Sequence, residues 1–253
     1  MQQYNVEELF PTPVISMILS EDTDDLKNIN DFTAAQYTTE VAKDLDPYNN
    51  DMNITPDGGG KRVLENYPRI RDIFLEKFSN VAEEYLGYRR KKYMISTSWV
   101  TYTKRGGRSQ QHKHRNSFWS GVYYFQDEYP EGSAGIAFHN PWEGAPDINF
   151  ADLDIENFNK LNSNSWQYHP RPKQLMLFPS HLEHEILVHE ADTLRHSLAF
   201  NIVPVERWGG QDSSFDVSWV VPEFIKQIVK GANFVTVWPD REAKEQYDKS
   251  RNQ

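Results

Sequence analysis

Residues 174–204 read QLMLFPSHLEHEILVHEADTLRHSLAFNIVP, and this stretch decides the fold. Gln174–Phe178, His184–Val188 and Leu194–Pro204 are short runs rich in apolar residues. Pro179-Ser180 and Glu190-Ala191-Asp192 punctuate them in the manner of turns. Upstream, Tyr93–Thr103, Ser120–Gln126, Ala134–Asn140 and Trp166–Pro170 have the same character, separated by Gly, Pro, Asn and Asp clusters. Many short strands at turn-marked intervals predict a mainly β domain with a sandwich or jelly-roll architecture. Before residue 93 the period lengthens. Ile70, Ile73, Phe74, Phe78, Val81, Ala82 and Tyr85 fall at helical spacing, which predicts an amphipathic helix over Tyr67–Tyr88. Its apolar stripe needs a surface to cover, and a β-sheet supplies one.

The remaining segments are weaker in signal. Residues 8–19 read as an edge strand interrupted by Pro11 and Pro13. Residues 22–45 are polar and helical in part. Residues 46–62, with Gly58-Gly59-Gly60, read as a loop, and Pro222–Lys230 as a late helix before a charged end. The expected organisation is one globular unit: supporting structure over 1–92, a β core over 93–206 and an extension over 207–253.

Composition narrows the chemistry. The chain has 253 residues and no cysteine. Disulfides, thiolate metal sites and a cysteine nucleophile are therefore excluded, and a metal ion must rely on His, Asp, Glu or backbone oxygen. The formal net charge of −10 argues against loose binding to nucleic acid or anionic membranes. The basic run Arg89-Arg90-Lys91-Lys92 reads as a solvated helix end. The opening residues MQQYNVEELFPTPVISMILS lack a basic segment followed by an apolar run, and no window approaches the roughly 20 apolar residues of a membrane span. A soluble cytoplasmic protein is expected, with no membrane partner.

All eight histidines lie after residue 110. His112 and His114 are two apart, so in extended backbone both imidazoles share one face. Zinc-hydrolase patterns fail. His184-Glu185 is followed by His189, one position too late for two histidines to share a helix face, and His181-Leu182-Glu183-His184 misses the inverted arrangement. The pattern that fits is a non-haem iron site, with three protein ligands on one face of an octahedron and three positions open. His112, His114 and His184 are the candidate ligands, with Glu183 or water as the alternative to His114. Arg195 follows His184 at a distance that suits a hairpin turning through Glu190, Ala191 and Asp192. On the return strand Arg195, Ser197, Ala199 and Asn201 share one face. A guanidinium there can clamp a carboxylate, helped by the Ser197 hydroxyl; the plainer alternative is an ion pair with Glu190 or Asp192.

With these residues in view, the chain resembles the 2-oxoglutarate/Fe(II)-dependent oxygenases, and within them a group of uncharacterised bacterial and phage members. The matching pieces are Leu9-Phe10-Pro11-Thr12-Pro13, Ser98-Trp99, His112-Lys113-His114, Ser120-Gly121-Val122-Tyr123-Tyr124, Phe178-Pro179-Ser180 with His184, and Arg195 through Asn201. They cover residues 9 to about 203 in the family's order. The resemblance implies a double-stranded β-helix, Fe(II) as metal, and 2-oxoglutarate and O2 as co-substrates. It implies His184 as the distal iron ligand, and Arg195 with Ser197 as the pair for the far carboxylate of 2-oxoglutarate. Asn201 joins them on the pocket side. His114 stands where most of that superfamily carries Asp or Glu.

The implied reaction hydroxylates a substrate C–H bond with release of succinate and CO2. No catalytic residue is expected beyond the metal ligands. The substrate class stays open between a protein side chain, an amino acid and a small metabolite. Trp99, Trp119, Tyr123 and Tyr124 are candidate pocket walls, at least two of them by ordinary core packing. The 142–165 segment is long enough to shape specificity. The rival readings are a non-catalytic jelly roll with a structural metal or carboxylate site, and a purely structural jelly roll.

Overall fold

The computed structural model describes residues 10–19, 52–54, 62–89, 91–141, 155–205, 207–210, 212 and 214. Its strands are β1 (Ile15–Ile18), β2 (Met52–Ile54), β3 (Tyr93–Thr103), β4 (Trp119–Tyr124), β5 (Ile136–His139), β6 (Ser165–Tyr168), β7 (Gln174–Pro179), β8 (His184–Ile186) and β9 (Arg195–Pro204). Among the described residues one α-helix, α1 (Pro68–Glu84), precedes β3. A major sheet runs β1-β7-β4-β9-β3-β2 and a minor sheet runs β6-β5-β8, with antiparallel pairing throughout. This is the jelly roll expected from the strand pattern.

The major sheet is covered on both faces, which explains its sequence. Every residue of β4 and β7 is buried, so these strands read as near-continuous apolar runs rather than as alternations. One face carries Tyr123, Leu175, Leu177, Leu198, Phe200 and Ile202 against α1. The other carries Val122, Tyr124, Met176 and Phe178 against Ile136 and Phe138 of the minor sheet. Helix α1 starts with Pro68, where a missing N–H costs no helical bond. It buries Ile70, Phe74, Phe78, Val81 and Ala82, and the Phe74 ring stacks on Phe200 at 4.8 Å between centroids. At its end Leu86 N–H donates to Val81 O and Tyr88 N–H to Ala82 O, with Gly87 at φ 66° turning the chain out. Tyr85 lies outside the buried stripe and is 79% exposed. Gly121 is a packing requirement: a Cβ there would sit 2.2 Å from Phe200 Cζ.

The 46–62 segment, expected as a loop, contains a strand: β2 pairs with the outer edge of β3, Met52 opposite Thr103 and Ile54 opposite Thr101. Three residues are too few to show a period, and the strand exists because β3 offers an unpaired edge. The hairpin expected between His184 and Arg195 is absent, because β8 belongs to the minor sheet and β9 to the major one. The connection crosses between sheets, and its first part pairs with residues 106–112: Gly106 N–H donates to His189 O, Ser109 N–H to Ile186 O, and His112 and His184 exchange both backbone bonds at 2.9 Å. The expected helices in 22–45 and at Pro222–Lys230 lie outside the described residues. No helix among the described residues is long and apolar enough to cross a membrane.

Candidate metal centre

The crossing just described places the three histidines. β3 ends at Thr103, the Gly106-Gly107 turn reverses the chain, and residues 106–112 run along β8. His112 thus lies opposite His184 in an isolated bridge rather than in a full strand. His114 follows, its N–H held by Ser180 O at the end of β7. One ring nitrogen from each of His112, His114 and His184 lies within 4.8 Å of the others. Ring centroids are 4.4 Å (His112–His184), 5.2 Å (His114–His184) and 5.4 Å (His112–His114) apart.

Each ring also has its Nδ1 bonded away from the cluster. His112 Nδ1 meets Gln110 O at 2.8 Å, His184 Nδ1 meets Leu182 O at 2.9 Å, and His114 Nδ1 meets Asn201 Oδ1 at 2.6 Å. These three partners are carbonyl-type oxygens, which accept, and His114 Nδ1 also lies 2.9 Å from Ser120 Oγ. Each Nδ1 is therefore placed as the donor, which leaves Nε2 as the ring nitrogen available to a metal. Carbonyl-fixed imidazoles of this kind are the normal outer support of metal-ligating histidines. His184 is buried between Phe138 and Phe178. That burial, reinforced by the neighbouring His112, pushes its pKa down to about 3. His114 is lowered in the same direction, first by burial. Both rings are neutral at physiological pH, as ligation requires. His112 is exposed, so the cluster opens on its side.

Glu183 does not take the place of His114. Its carboxylate accepts from Gln111 Nε2 at 2.8 Å and pairs with Lys113 Nζ at 3.1 Å, at the surface. These contacts hold its pKa below the usual carboxylate range. Glu185 is likewise taken up by His139 Nε2 at 3.0 Å.

Arg195, the first residue of β9, lies 1% exposed between the sheets. Its described contacts are all neutral: Nε donates to Ala134 O at 2.8 Å, Nη1 to Ser197 Oγ at 3.3 Å and Nη2 to Tyr124 OH at 3.4 Å, with the guanidinium over the Tyr124 ring. The ion pair anticipated as an alternative does not form with Asp192, which meets Arg105 instead. A buried cation without an acid costs several kcal/mol or more unless an anion joins it. His189, weighed above as a zinc ligand, is structural here. Its Nδ1 accepts from Ala134 N–H at 3.1 Å and its Nε2–H donates to Thr193 O at 2.6 Å. It thereby steadies the loop and the Ala134 peptide on which Arg195 leans.

Asn201 lies on the same face of β9 as Arg195 and Ser197. Its Oδ1 faces His114 and Ser120, and its Nδ2 donates to Thr97 Oγ1 at 3.0 Å. Of the four candidate wall residues, Trp119 and Tyr123 pack in the cluster that meets α1. Trp99 lies half-buried with its ring 5.6 Å from that of His114. The sequence reading placed Tyr124 on the wall but missed its hydroxyl at Arg195. Ser120 and Tyr124 share a face of β4, and that alternation was the available signal.

Residues 97–201 match the model of a family described as "Putative 2OG-Fe(II) oxygenase". No match was found among curated proteins. Solved structures with a similar fold include HygX from Streptomyces hygroscopicus, with nickel, 2-oxoglutarate and hygromycin B bound. It is 9% identical over 76% of this chain and 83% of that one, with a TM-score of 0.51. Another is SnoN, the non-heme α-ketoglutarate-dependent epimerase from nogalamycin biosynthesis. It is 10% identical over 79% of this chain and 82% of that one, with a TM-score of 0.53. These two likenesses concern the fold, and the family match concerns the sequence of the core. The match makes residues 97–201, the β core, similar to the 2-oxoglutarate/Fe(II)-dependent oxygenases, on a fold shared with these two structures.

Proposed function

We propose that His112, His114 and His184 hold the iron of this dioxygenase. Arg195, with Ser197 and Tyr124, holds the far carboxylate of 2-oxoglutarate, and the reaction hydroxylates a substrate with release of succinate and CO2. The observation that carries this reading is the joint presence, inside one barrel, of three histidines fixed in the ligating tautomer and a buried arginine surrounded by neutral groups. The donor set fits a ferrous ion: imidazole is a good iron ligand, and three donors leave half of an octahedron for co-substrates. The arginine fits a carboxylate, which it meets with charge-assisted bonds.

When bound, ferrous iron with 2-oxoglutarate and O2 supplies the oxidising power, one oxygen atom ending in succinate and the other in the hydroxylated product. The protein's residues position and shield. Arg195 offsets one carboxylate charge of the co-substrate in a site closed to water, where such pairing is strongest. Phe138 and Phe178 keep the His184 side dry. The exposed side at His112, with Trp99 beside His114, is the face on which we place the substrate. The division into support (1–92), core (93–206) and extension (207–253) belongs to the same reading. A ferrous centre suits a reducing compartment, which supports a cytoplasmic setting. Nothing in the structure favours the non-catalytic alternative.

The test is succinate formation from 2-oxoglutarate in air with Fe(II) and ascorbate, comparing wild type with His184→Ala. Slow, iron-dependent succinate release by wild type and none by the variant is expected. Equal release by the two proteins, or none by either, would sink the reading.

A further inference from the structure

The three ligand histidines are not fixed in the same way. His112 and His184 each bond a backbone carbonyl two residues before them, Gln110 O and Leu182 O. Locally extended backbone supplies such a partner unaided. His114 uses no such carbonyl. Its Nδ1–H reaches Asn201 Oδ1 at 2.6 Å, 87 residues away on β9, with Ser120 Oγ at 2.9 Å from the same nitrogen.

Asn201 is itself held from both ends. Its Nδ2 donates to Thr97 Oγ1 on β3, and its Oδ1 also accepts from Ser120 Oγ on β4 at 2.9 Å. Ser120 Oγ is 2.8 Å from Ser180 Oγ, and both serines are fully buried. The Ser180 carbonyl in turn takes the backbone N–H of His114 at 2.9 Å. One network through β3, β4, β7 and β9 therefore grips both the ring and the backbone of His114. Every lone pair and donor of the Asn201 amide that the contacts account for serves that network.

We infer that Asn201 is the positioning residue that makes His114 a metal ligand, rather than a contact for 2-oxoglutarate. This rests on the reading of His112, His114 and His184 as the metal site. The amide also sets the electrostatics. It accepts the Nδ1 proton without adding charge, so all three imidazoles are backed by neutral oxygens. A carboxylate in that position makes the imidazole more basic and the metal better held. Asn201 thus fixes the tautomer of His114 while leaving the divalent charge of the ion for the anionic co-substrate to offset.

The experiment is Ni(II) binding to the full chain by calorimetry, with Ni(II) standing in for oxygen-sensitive Fe(II), on wild type, Asn201→Leu, Asn201→Asp and His184→Ala. Asn201→Leu keeps the side-chain volume and removes the acceptor. It is expected to weaken Ni(II) binding by about 10–100-fold, while 2-oxoglutarate binding to the Ni(II)-saturated variant stays within about threefold of wild type, as it must if the amide does not touch the acid. Asn201→Asp is expected to tighten Ni(II) binding by about tenfold. In the Co(II)-loaded protein each bonded Nδ1–H gives an exchangeable, hyperfine-shifted proton signal, and Asn201→Leu is expected to lose one of these by faster exchange. Ni(II) affinity of Asn201→Leu matching wild type, or loss of 2-oxoglutarate binding at saturating Ni(II), overturns the inference. If Asn201→Leu does not fold, Asn201→Asp decides, and binding no tighter than wild type overturns it. Wild type binding Ni(II) no better than His184→Ala is a different failure: the metal-site reading falls, and the inference with it.

Discussion

Replacing Arg195 by Met separates a binding residue from a structural one, because the two roles give opposite signs. In the co-substrate-free protein the guanidinium is a fully buried cation with neutral neighbours. Removing it relieves a desolvation cost of roughly several kcal/mol. It also leaves Ala134 O without its donor, about 1–3 kcal/mol, and ends the contact over the Tyr124 ring, about 0.5–2 kcal/mol. These terms nearly cancel, so the free variant should unfold within about 2 kcal/mol of wild type. Co-substrate binding has no such compensation. Two charge-assisted hydrogen bonds at about 1.5–3 kcal/mol each amount to roughly 3–6 kcal/mol, or a 10²- to 10⁴-fold loss of affinity for 2-oxoglutarate. Thermal unfolding with and without Ni(II) and 2-oxoglutarate reads both numbers. At a ligand concentration about 100 times the wild-type Kd, wild type gains about 2.7 kcal/mol and the variant gains almost none. A variant destabilised by more than about 4 kcal/mol when free, yet stabilised by 2-oxoglutarate as wild type is, would show that Arg195 is a structural cation and refute the reasoning.

Phe74→Ala removes the ring that stacks on Phe200 and should cost about 3–5 kcal/mol in denaturant unfolding while leaving Ni(II) affinity of the folded protein unchanged, since α1 and the metal centre lie on opposite faces of the major sheet. Gly121→Ala drives a methyl to 2.2 Å from Phe200 Cζ and should destabilise by about 1–3 kcal/mol in the same assay; an unchanged midpoint would contradict the packing described. The metal-free protein should lose stability as pH falls. Burial holds His184 at about 3 and His196 at about 4, below the 6.5 of an unfolded histidine. The unfolded chain therefore binds protons that the folded chain refuses, stability is full above pH 6.5, and each histidine removes about 1.4 kcal/mol per pH unit below it. Chemical unfolding at pH 7, 6 and 5, where carboxylates stay ionised, measures this, and a flat or rising profile would contradict it.

The parts of the fold legible in the sequence were those with a period or a long apolar run. The stripe from Ile70 to Ala82 gave α1, and the apolar QLMLF run gave β7, because both are buried against surfaces wide enough to impose a pattern. β2 was not legible, since three residues carry no period and their pairing is decided by the free edge of β3, some 50 positions away. The spacing of His184 and Arg195 suited a hairpin, yet chain separation does not say which sheet each end joins. At the site, residue types and spacing singled out His112, His114, His184 and Arg195 as candidates, and the fold brings the three histidines together. Alternation requires Tyr123 and Tyr124 to face opposite ways, but only the sheet's packing determines that Tyr124 meets Arg195. The partners of Asn201 come from Thr97, His114 and Ser120 on separate segments, and no local pattern announces such a network.

The most direct measurement is an anaerobic titration of the protein with Fe(II) and 2-oxoglutarate, followed by visible absorbance. A weak charge-transfer band is expected that requires both iron and 2-oxoglutarate, and that is lost in His184→Ala and in Arg195→Met at 2-oxoglutarate concentrations saturating for wild type. No band in wild type, or a band that survives in His184→Ala, would contradict the assignment of iron to the three histidines and of the acid to Arg195.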